Sequence, residues 1–517
     1  MSTAKSYKLS KIDVLIGDKK VDIRELVSEF NWFESIDSSF IRCDFVILDT
    51  VQFDDNILGS EIIHITFEST TEKKSRIQHT LQIYKIGSIV KQERAKQYIL
   101  HCSSPEIYEN EANRAFGQFG PVSGKTDIVK RMLKDHLNSS KKTHIEAHTN
   151  INVLSPNWRP VDLISYMSDK VSRTKAGSRQ SGKGKKQSGF LFWENRDGWN
   201  FKSMDLLCEQ DSIAKYTYAQ ANVGQNNPGT NFYQIESVIY PERANQLDKL
   251  RQGAYKQCTY GIVMAQLTDS YMPNAGATSS TSFDDYAKLN VPYTANDNSA
   301  GSLSNDQLKA LYNSSGESTF SNAGNDTSFT WKPNSSGSKD NLTERQLANK
   351  DKTGKPSGTI SGPMVSNLKQ TFSKASKLHD GLPYREEHLD FYTGLYPTRT
   401  KFKILPGFNN QTANAPKGGA DDADESVLTA ATYSAARWAL LNTHSLTIRV
   451  PGNTKLKAGC VVTVNLPSSK QESKSNVARD QTYSGKYLVK GLRHTYKKQG
   501  ITTELYLCRG SLPVTKN

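Results

Sequence analysis

Gly124-Lys125-Thr126 stands ahead of an apolar helical stripe, the order of residue types found in the second half of a phosphate-binding loop. In such a loop glycine lets backbone donors approach phosphate and lysine neutralises it. A further glycine is needed five positions before Gly124, but Phe119 stands there and no strong strand precedes it. The segment therefore reads as a loop followed by a capped helix. His144 and His148 have the i, i+4 spacing of two metal ligands on one helical face, yet Ile145-Glu146-Ala147 lies between them and the His-Glu-x-x-His order is absent. Their flanks alternate as a strand does, which sets the two rings apart along one sheet face. Among the 52 acidic residues no pair is marked out for glycoside cleavage, and no Gly-x-Ser-x-Gly elbow occurs. The six cysteines, Cys43, Cys102, Cys208, Cys258, Cys460 and Cys508, contain no Cys-x-x-Cys pair. They read as reduced, mostly buried thiols of a cytosolic assembly environment. The residue types predict no catalytic centre, no metal and no cofactor.

Two charge runs carry more information. Arg173, Lys175, Arg179, Lys183, Lys185 and Lys186 fall in a Gly/Ser-rich loop without an acid, able to contact phosphate or an acidic partner with salt-dependent affinity. The simpler reading is a solvated loop beside a hairpin. Asp421, Asp422, Asp424 and Glu425 precede a helix expected from Leu428, where the helix dipole stabilises each by roughly 0.3 to 1 kcal/mol. The net charge of +14 permits nucleic-acid or acidic partners without choosing a fold.

The elements that position these groups divide along the chain. A length of 517 residues predicts two to four domains, and 36% hydrophobic content beside 23 Tyr, 19 Phe and 6 Trp predicts a folded chain with one long polar segment. No run of about 18 apolar residues occurs, and the first ten residues lack the pattern of a secretory signal, so a soluble protein without an export address is expected. Period-two alternation predicts strands over Leu9–Ile16, Phe40–Leu48, Glu61–Phe67, Thr80–Ile86 and Gln97–Cys102, enough for a barrel or sandwich. Thr126 is placed to cap a helix burying Ile128, Val129, Met132, Leu133 and Leu137. A second helix starts at Pro160 and buries Leu163, Ile164, Met167 and Val171. Phe190, Phe192 and Trp199–Lys202 flank an Asn195-Arg196-Asp197-Gly198 hairpin turn. Strand and helix signals run on from Phe232 to Met264, and Asn274 to Gly362 is too polar to bury a core. Strand pattern returns near Phe391, a helix spans Leu428–Leu441, and strands close the chain at Ser445–Val450, Cys460–Leu466, Tyr487–His494 and Ile501–Cys508. The fold class is a β-rich, multidomain α+β chain.

Several stretches resemble one family in order. Trp32-Phe33-Glu34-Ser35-Ile36, Phe40 to Asp49 and Leu58 to Phe67 are similar to the N-terminal barrel of baseplate central hub proteins from contractile-tailed bacteriophages. Trp158-Arg159-Pro160 before Gly189 to Glu194 fits the same family. Gly485-Lys486-Tyr487-Leu488-Val489 with His494 also looks like phage late control protein D and the hub part of type VI secretion spike proteins. The resemblance covers about residues 7–260 and 390–512. It implies two tail-tube-type β-barrels: residues 1–104, and residues 211–265 with 390–517. An α/β domain over 105–210 lies between them, and a Ser/Asn/Gly-rich insertion and linker spans 266–389.

The same resemblance implies a structural baseplate hub, a homotrimeric ring that adapts a threefold central spike to the sixfold tail tube and forms part of the DNA channel. Implied partners are further copies of the chain, the spike, the tail tube or tube-initiator protein, baseplate wedge proteins, the tape measure and DNA in transit. The implied location is the virion tail baseplate, after assembly in the host cytoplasm, and no enzymatic activity is implied. Two alternatives stay open: a tail-associated cell-wall hydrolase, and a DNA-binding tail protein using the basic loop.

Overall fold

The structure is a computed structural model that describes residues 7–70, 75–91, 95–120, 127–149, 151, 153–174, 187–218, 232–241, 246–263, 364–379, 399–405, 420–471, 477–480 and 482–511. The polar stretch Asn274–Gly362, the strand expected near Phe391, the Gly124–Thr126 segment and Lys175 to Lys186 lie outside the described residues.

Alternation at period two sends one set of side chains inward along several of the first seven strands. The seven are β1 (Tyr7–Ile16), β2 (Lys19–Asp22), β3 (Val27–Ser35), β4 (Arg42–Asp49), β5 (Ile62–Ser69), β6 (Ile77–Lys91) and β7 (Lys96–Ser103). In β4, Cys43, Phe45 and Ile47 are buried, while Arg42, Asp44, Val46 and Leu48 face the other way. The pairing order is β3-β4-β7-β6-β5-β1-β2. Strand β6 runs five residues past the expected Ile86, its extension paired with β7. Neither β2 nor β3 is among the strands the alternation predicts. In β3, Phe30, Trp32 and a buried Glu34 point inward while Asn31, Phe33 and Ser35 point outward, so aromatic and polar residues occur on both faces and the two-residue period is blurred.

The middle of the chain mixes helices with short strands, and most of its apolar residues gather in a second cluster from Ala115 to Phe201. This stretch contains helices α1 (Glu106–Ala112), α2 (Ile128–Arg131), α3 (Pro160–Ser168) and α4 (Met204–Cys208). Its strands are β8 (Ala115–Phe119), β9 (Thr143–Ile145), β10 (Val153–Trp158), β11 (Phe190–Asn195) and β12 (Gly198–Ser203). Ile128, Val129, Met132, Leu133 and Leu137 are all buried, as their helical spacing predicts. The cap is the Asp127 carboxylate, which accepts from the Val129 N–H. The helix widens into a π turn at Met132–His136 instead of running on as one α-helix. Proline opens α3, where its missing N–H costs nothing, and Leu163, Ile164 and Met167 are buried. The β11–β12 hairpin turns at Asn195 to Gly198. Gly198 has φ +120°, and a Cβ there would collide with the Lys142 carbonyl, which accepts the Trp199 N–H at 2.8 Å.

The remainder returns to the first sheet. Strands β13 (Ser212–Thr217) and β14 (Ser237–Ile239) are followed by an excursion of α5 (Gln246–Gln252), β15 (Lys256–Val263), β16 (Met364–Asn367), α6 (Leu368–Lys374), β17 (Arg399–Leu405) and α7 (Ala420–Leu441). Helix α7 begins eight residues before the expected Leu428, so Asp421 to Glu425 lie within its first turns and do not precede it. The closing strands are β18 (His444–Pro451), β19 (Val461–Asn465), β20 (Pro467–Gln471), β21 (Val477–Arg479), β22 (Gly485–Lys497) and β23 (Gly500–Arg509). All four expected closing strands are present.

Strands β13, β19, β22, β23, β18 and β14 pair in that order. Thr217 N–H donates to Tyr233 O and Ile235 N–H to Thr217 O, so the segment leading into β14 lies against the end of β13. Strand β22 pairs with β19 near its start and with β3 from Gly491 to Lys497. That one pairing joins both halves into a sheet of 13 strands. A single apolar core runs beneath it, from Ile12, Phe30, Trp32 and Phe67 to Val464, Tyr496 and Leu505. The molecule is thus β-rich, with one large and mainly antiparallel sheet and a minority of helices.

Candidate functional site

The polar groups with the most distinctive environments lie at the seams, where the middle of the chain meets the two halves of the sheet. Glu34 points inward from β3 and is fully buried. Its Oε1 accepts from Trp32 Nε1 at 3.1 Å and from the Arg196 N–H at 3.2 Å, and its Oε2 accepts from the Ala458 N–H at 3.0 Å. One carboxyl therefore touches the first half, the β11–β12 turn and the loop before β19. Burial pushes it up to about 7, against those donors and the nearby Arg196 charge. The same turn is tied to the second half by Trp193 Nε1, which donates to Ala458 O at 3.3 Å, and by Lys457, 2.7 Å from Asp197.

Glu194, on β11, is equally buried. Ser104 Oγ donates to it at 2.5 Å and Lys141 Nζ at 2.6 Å, with His79 Nε2 at 3.3 Å. Burial alone would raise its pKa, but His79 and Lys141 outweigh that and hold it near 2. A third seam joins α4 to α7. Arg437 Nε donates to Asp205 at 2.9 Å and the Ser376 N–H at 2.9 Å, both buried, and the partly buried Tyr433 Oη donates to it at 3.0 Å. The absence of water makes each of the buried contacts costly to break singly.

Of the basic run, the structure places Arg173. Its side chain is 2% exposed, with Nε 2.6 Å from Glu146 and Nη1 2.9 Å from Glu209. Nη1 also donates to Gln187 at 2.8 Å. This guanidinium is thus committed to two carboxylates, the largely buried Glu146 and the more exposed Glu209, a state its position in a glycine-rich stretch gave no sign of. Lys175, Arg179, Lys183, Lys185 and Lys186 are outside the described residues.

His144 lies exposed in β9, whereas the His148 ring is buried against Phe190 and Phe201, 3.6 Å from Asp127. The two are not brought together. Among the described residues no group of three or more His, Cys, Asp and Glu side chains is arranged to hold a metal ion. Five cysteines, Cys43, Cys102, Cys208, Cys460 and Cys508, are free and buried. Burial pushes the Cys208 and Cys460 thiols up to about 11, away from the reactive thiolate.

No family model and no curated protein matches the sequence. Solved structures do match. They are tail and secretion proteins. A tail protein from Neisseria meningitidis MC58 is similar over 98% of each chain, with 10% identity and a TM-score of 0.44. The 43 kDa tail protein of prophage MuSo2 from Shewanella oneidensis is similar over 97% of this chain and 99% of its own, with 9% identity and a TM-score of 0.43. An E. coli component of the type VI secretion system is similar over 98% of this chain and 76% of its own, with 8% identity and a TM-score of 0.35. No helix among the described residues is long and apolar enough to cross a membrane.

One outward surface remains. Register pairs Arg493 with Phe33 and Phe33 with Arg42, so an Arg-Phe-Arg row crosses the strand junction on the face opposite the core. Residues of the Ser35 to Phe40 loop line an open groove of about 550 Å³ together with Phe33, Arg42, Asp44, Tyr84 and His101. Sequence reasoning did not mark the groove, because its lining is gathered from β3, β4, β6 and β7, which pair out of chain order.

Proposed function

We propose that the chain is a structural baseplate hub of a contractile phage tail: three copies close a ring that joins a threefold central spike to the sixfold tail tube. The observation that carries this reading is the β3–β22 pairing, which sets the first half of the sheet beside a second half in which the segment leading into β14 lies against the end of β13. Each half is read as one tube-type barrel. Two per chain give six around a trimer, which is the count needed to meet sixfold symmetry with three subunits. The sequence resemblance of residues 7–260 and 390–512 supports the same reading. The seams at Glu34, Glu194 and Asp205 fit a rigid adaptor, since they brace the halves without presenting a reactive group.

On this reading DNA passes the lumen of the ring. The partners are the spike, the tube or its initiator, wedge proteins and the tape measure, and the location is the virion tail. Low-resolution imaging of the purified protein, together with light scattering at micromolar concentration, tests it. A threefold ring around a tube-sized hole is expected, and a stable compact monomer would overturn it.

The basic loop supports a second, smaller role in touching DNA through Lys175, Arg179, Lys183, Lys185 and Lys186. Replacing Lys183, Lys185 and Lys186 by Ser should reduce the salt slope of DNA binding, and an unchanged slope counts against it.

A further inference from the structure

We propose that the outer face of β3, β4, β7 and β6 binds an acidic peptide segment of a partner protein, with a carboxylate on Arg42 and apolar side chains along Val46 and Leu48. The charges in and around the groove select the sign. Asp44 lies 2.7 Å from His101 Nδ1 and Asp37 3.0 Å from Lys490, so each carboxylate already has a polar partner. Arg493 donates to Asn31 Oδ1 at 2.8 Å and lies over the Phe33 ring. Arg42 is exposed and makes no ion pair among the described residues. A guanidinium that shares the groove lining with Phe33 and Tyr84 suits a single carboxylate on an apolar stem. Among the described residues that line the groove, Arg42 is the one Lys or Arg, whereas a phosphate carries up to two charges.

The surface beyond the groove selects a peptide over a small molecule. Along β4 the outward positions follow at two-residue steps, about 6.8 Å each: Arg42, Asp44, Val46, Leu48. Val46 pairs with Ile99, and Leu48 reaches Val90 through Gln97. Leu48 is 45% and Val90 54% exposed, large values for aliphatic side chains on a strand face. The face therefore grades from cationic to apolar over the length of one short strand. A partner segment with an acid followed at alternate positions by apolar residues matches that gradient. This surface stands without the hub reading, because nothing in it depends on ring formation.

The test uses the full chain and two fluorescein-labelled peptides, Glu-Ser-Leu-Ser-Leu and its Lys-for-Glu analogue, in anisotropy titrations at low salt. The acidic peptide should bind at least tenfold more tightly than the basic one. Arg42→Glu should reverse that preference, Arg42→Gln should abolish it, and Leu48→Ser should weaken both peptides about threefold to tenfold. Both positions are exposed, so the melting temperatures should not move, and the Gln variant keeps the test valid if the Glu variant fails to fold. Equal affinity for the two peptides, no binding at millimolar peptide, or indifference to Arg42→Gln would overturn the proposal. Displacement by inorganic phosphate at low millimolar concentration would assign the groove to phosphate instead and would also overturn it.

Discussion

Glu34 and Glu194 are both completely buried, and both join the middle of the chain to the sheet, yet their surroundings push them in opposite directions. Glu34 is surrounded by N–H dipoles, so the cost of desolvation prevails and its pKa rises to about 7. Glu194 faces the Lys141 ammonium and a hydrogen bond from His79, which together outweigh burial, and its pKa falls to about 2. The difference teaches that burial by itself fixes neither the charge nor the strength of a seam. What decides is whether the partners carry charge of their own.

The largest expected effect comes from removing the charged member. Glu194→Gln leaves His79 without its carboxylate and Lys141 with Glu106 alone, and it should cost about 3 to 5 kcal/mol, read from denaturant midpoints at pH 8. Glu34→Gln keeps one acceptor oxygen and no longer buries a charge, so at the same pH it should cost about 1 to 2 kcal/mol. Equal losses at the two positions would break the comparison.

The pH dependence separates the two more sharply. For Glu194 the folded pKa lies below the unfolded value near 4.5, so its contribution is present above about pH 4.5 and is lost as pH falls towards 2, about 3 kcal/mol in all. For Glu34 the folded pKa lies above 4.5, so its contribution is greatest below about pH 4.5 and is lost as pH rises to 7, again about 3 kcal/mol. Stability curves against pH should therefore lose the acid limb in Glu194→Gln and the limb between pH 5 and 7 in Glu34→Gln.

Backbone and surface changes at the same turn sharpen the contrast further. Gly198→Ala should cost about 2 kcal/mol, because φ +120° and the Lys142 carbonyl both oppose a Cβ, and it should leave either pH limb unchanged. The smallest effect belongs to Lys457→Ala. Its ion pair with Asp197 is partly solvated, and a loss under about 1 kcal/mol is expected in thermal melts.

Much of the fold was legible because its signals are local. Alternation at Cys43, Phe45 and Ile47 needs only a two-residue period, and the buried stripe Ile128 to Leu137 needs only a helical one. The β11–β12 hairpin was readable from Asp197-Gly198, since few other residue pairs take that turn. Strand β3 was not readable as a strand, although it joins the two halves, because an inward Glu34 and an outward Phe33 disguise its faces. Arg173 looked like a loop cation and is an internal one, since Glu146 and Glu209 reach it from elements 27 and 36 positions away.

By itself the sequence determined most of the strands and helices and the faces they bury, because these follow from residue type at short spacing. Only the tertiary structure decided which strands share an edge, which buried acid meets a full charge and which arginine stays unmatched. Pairing β22 with β3 and bringing Lys141 to Glu194 depend on contacts across tens to hundreds of residues, and no local period encodes them.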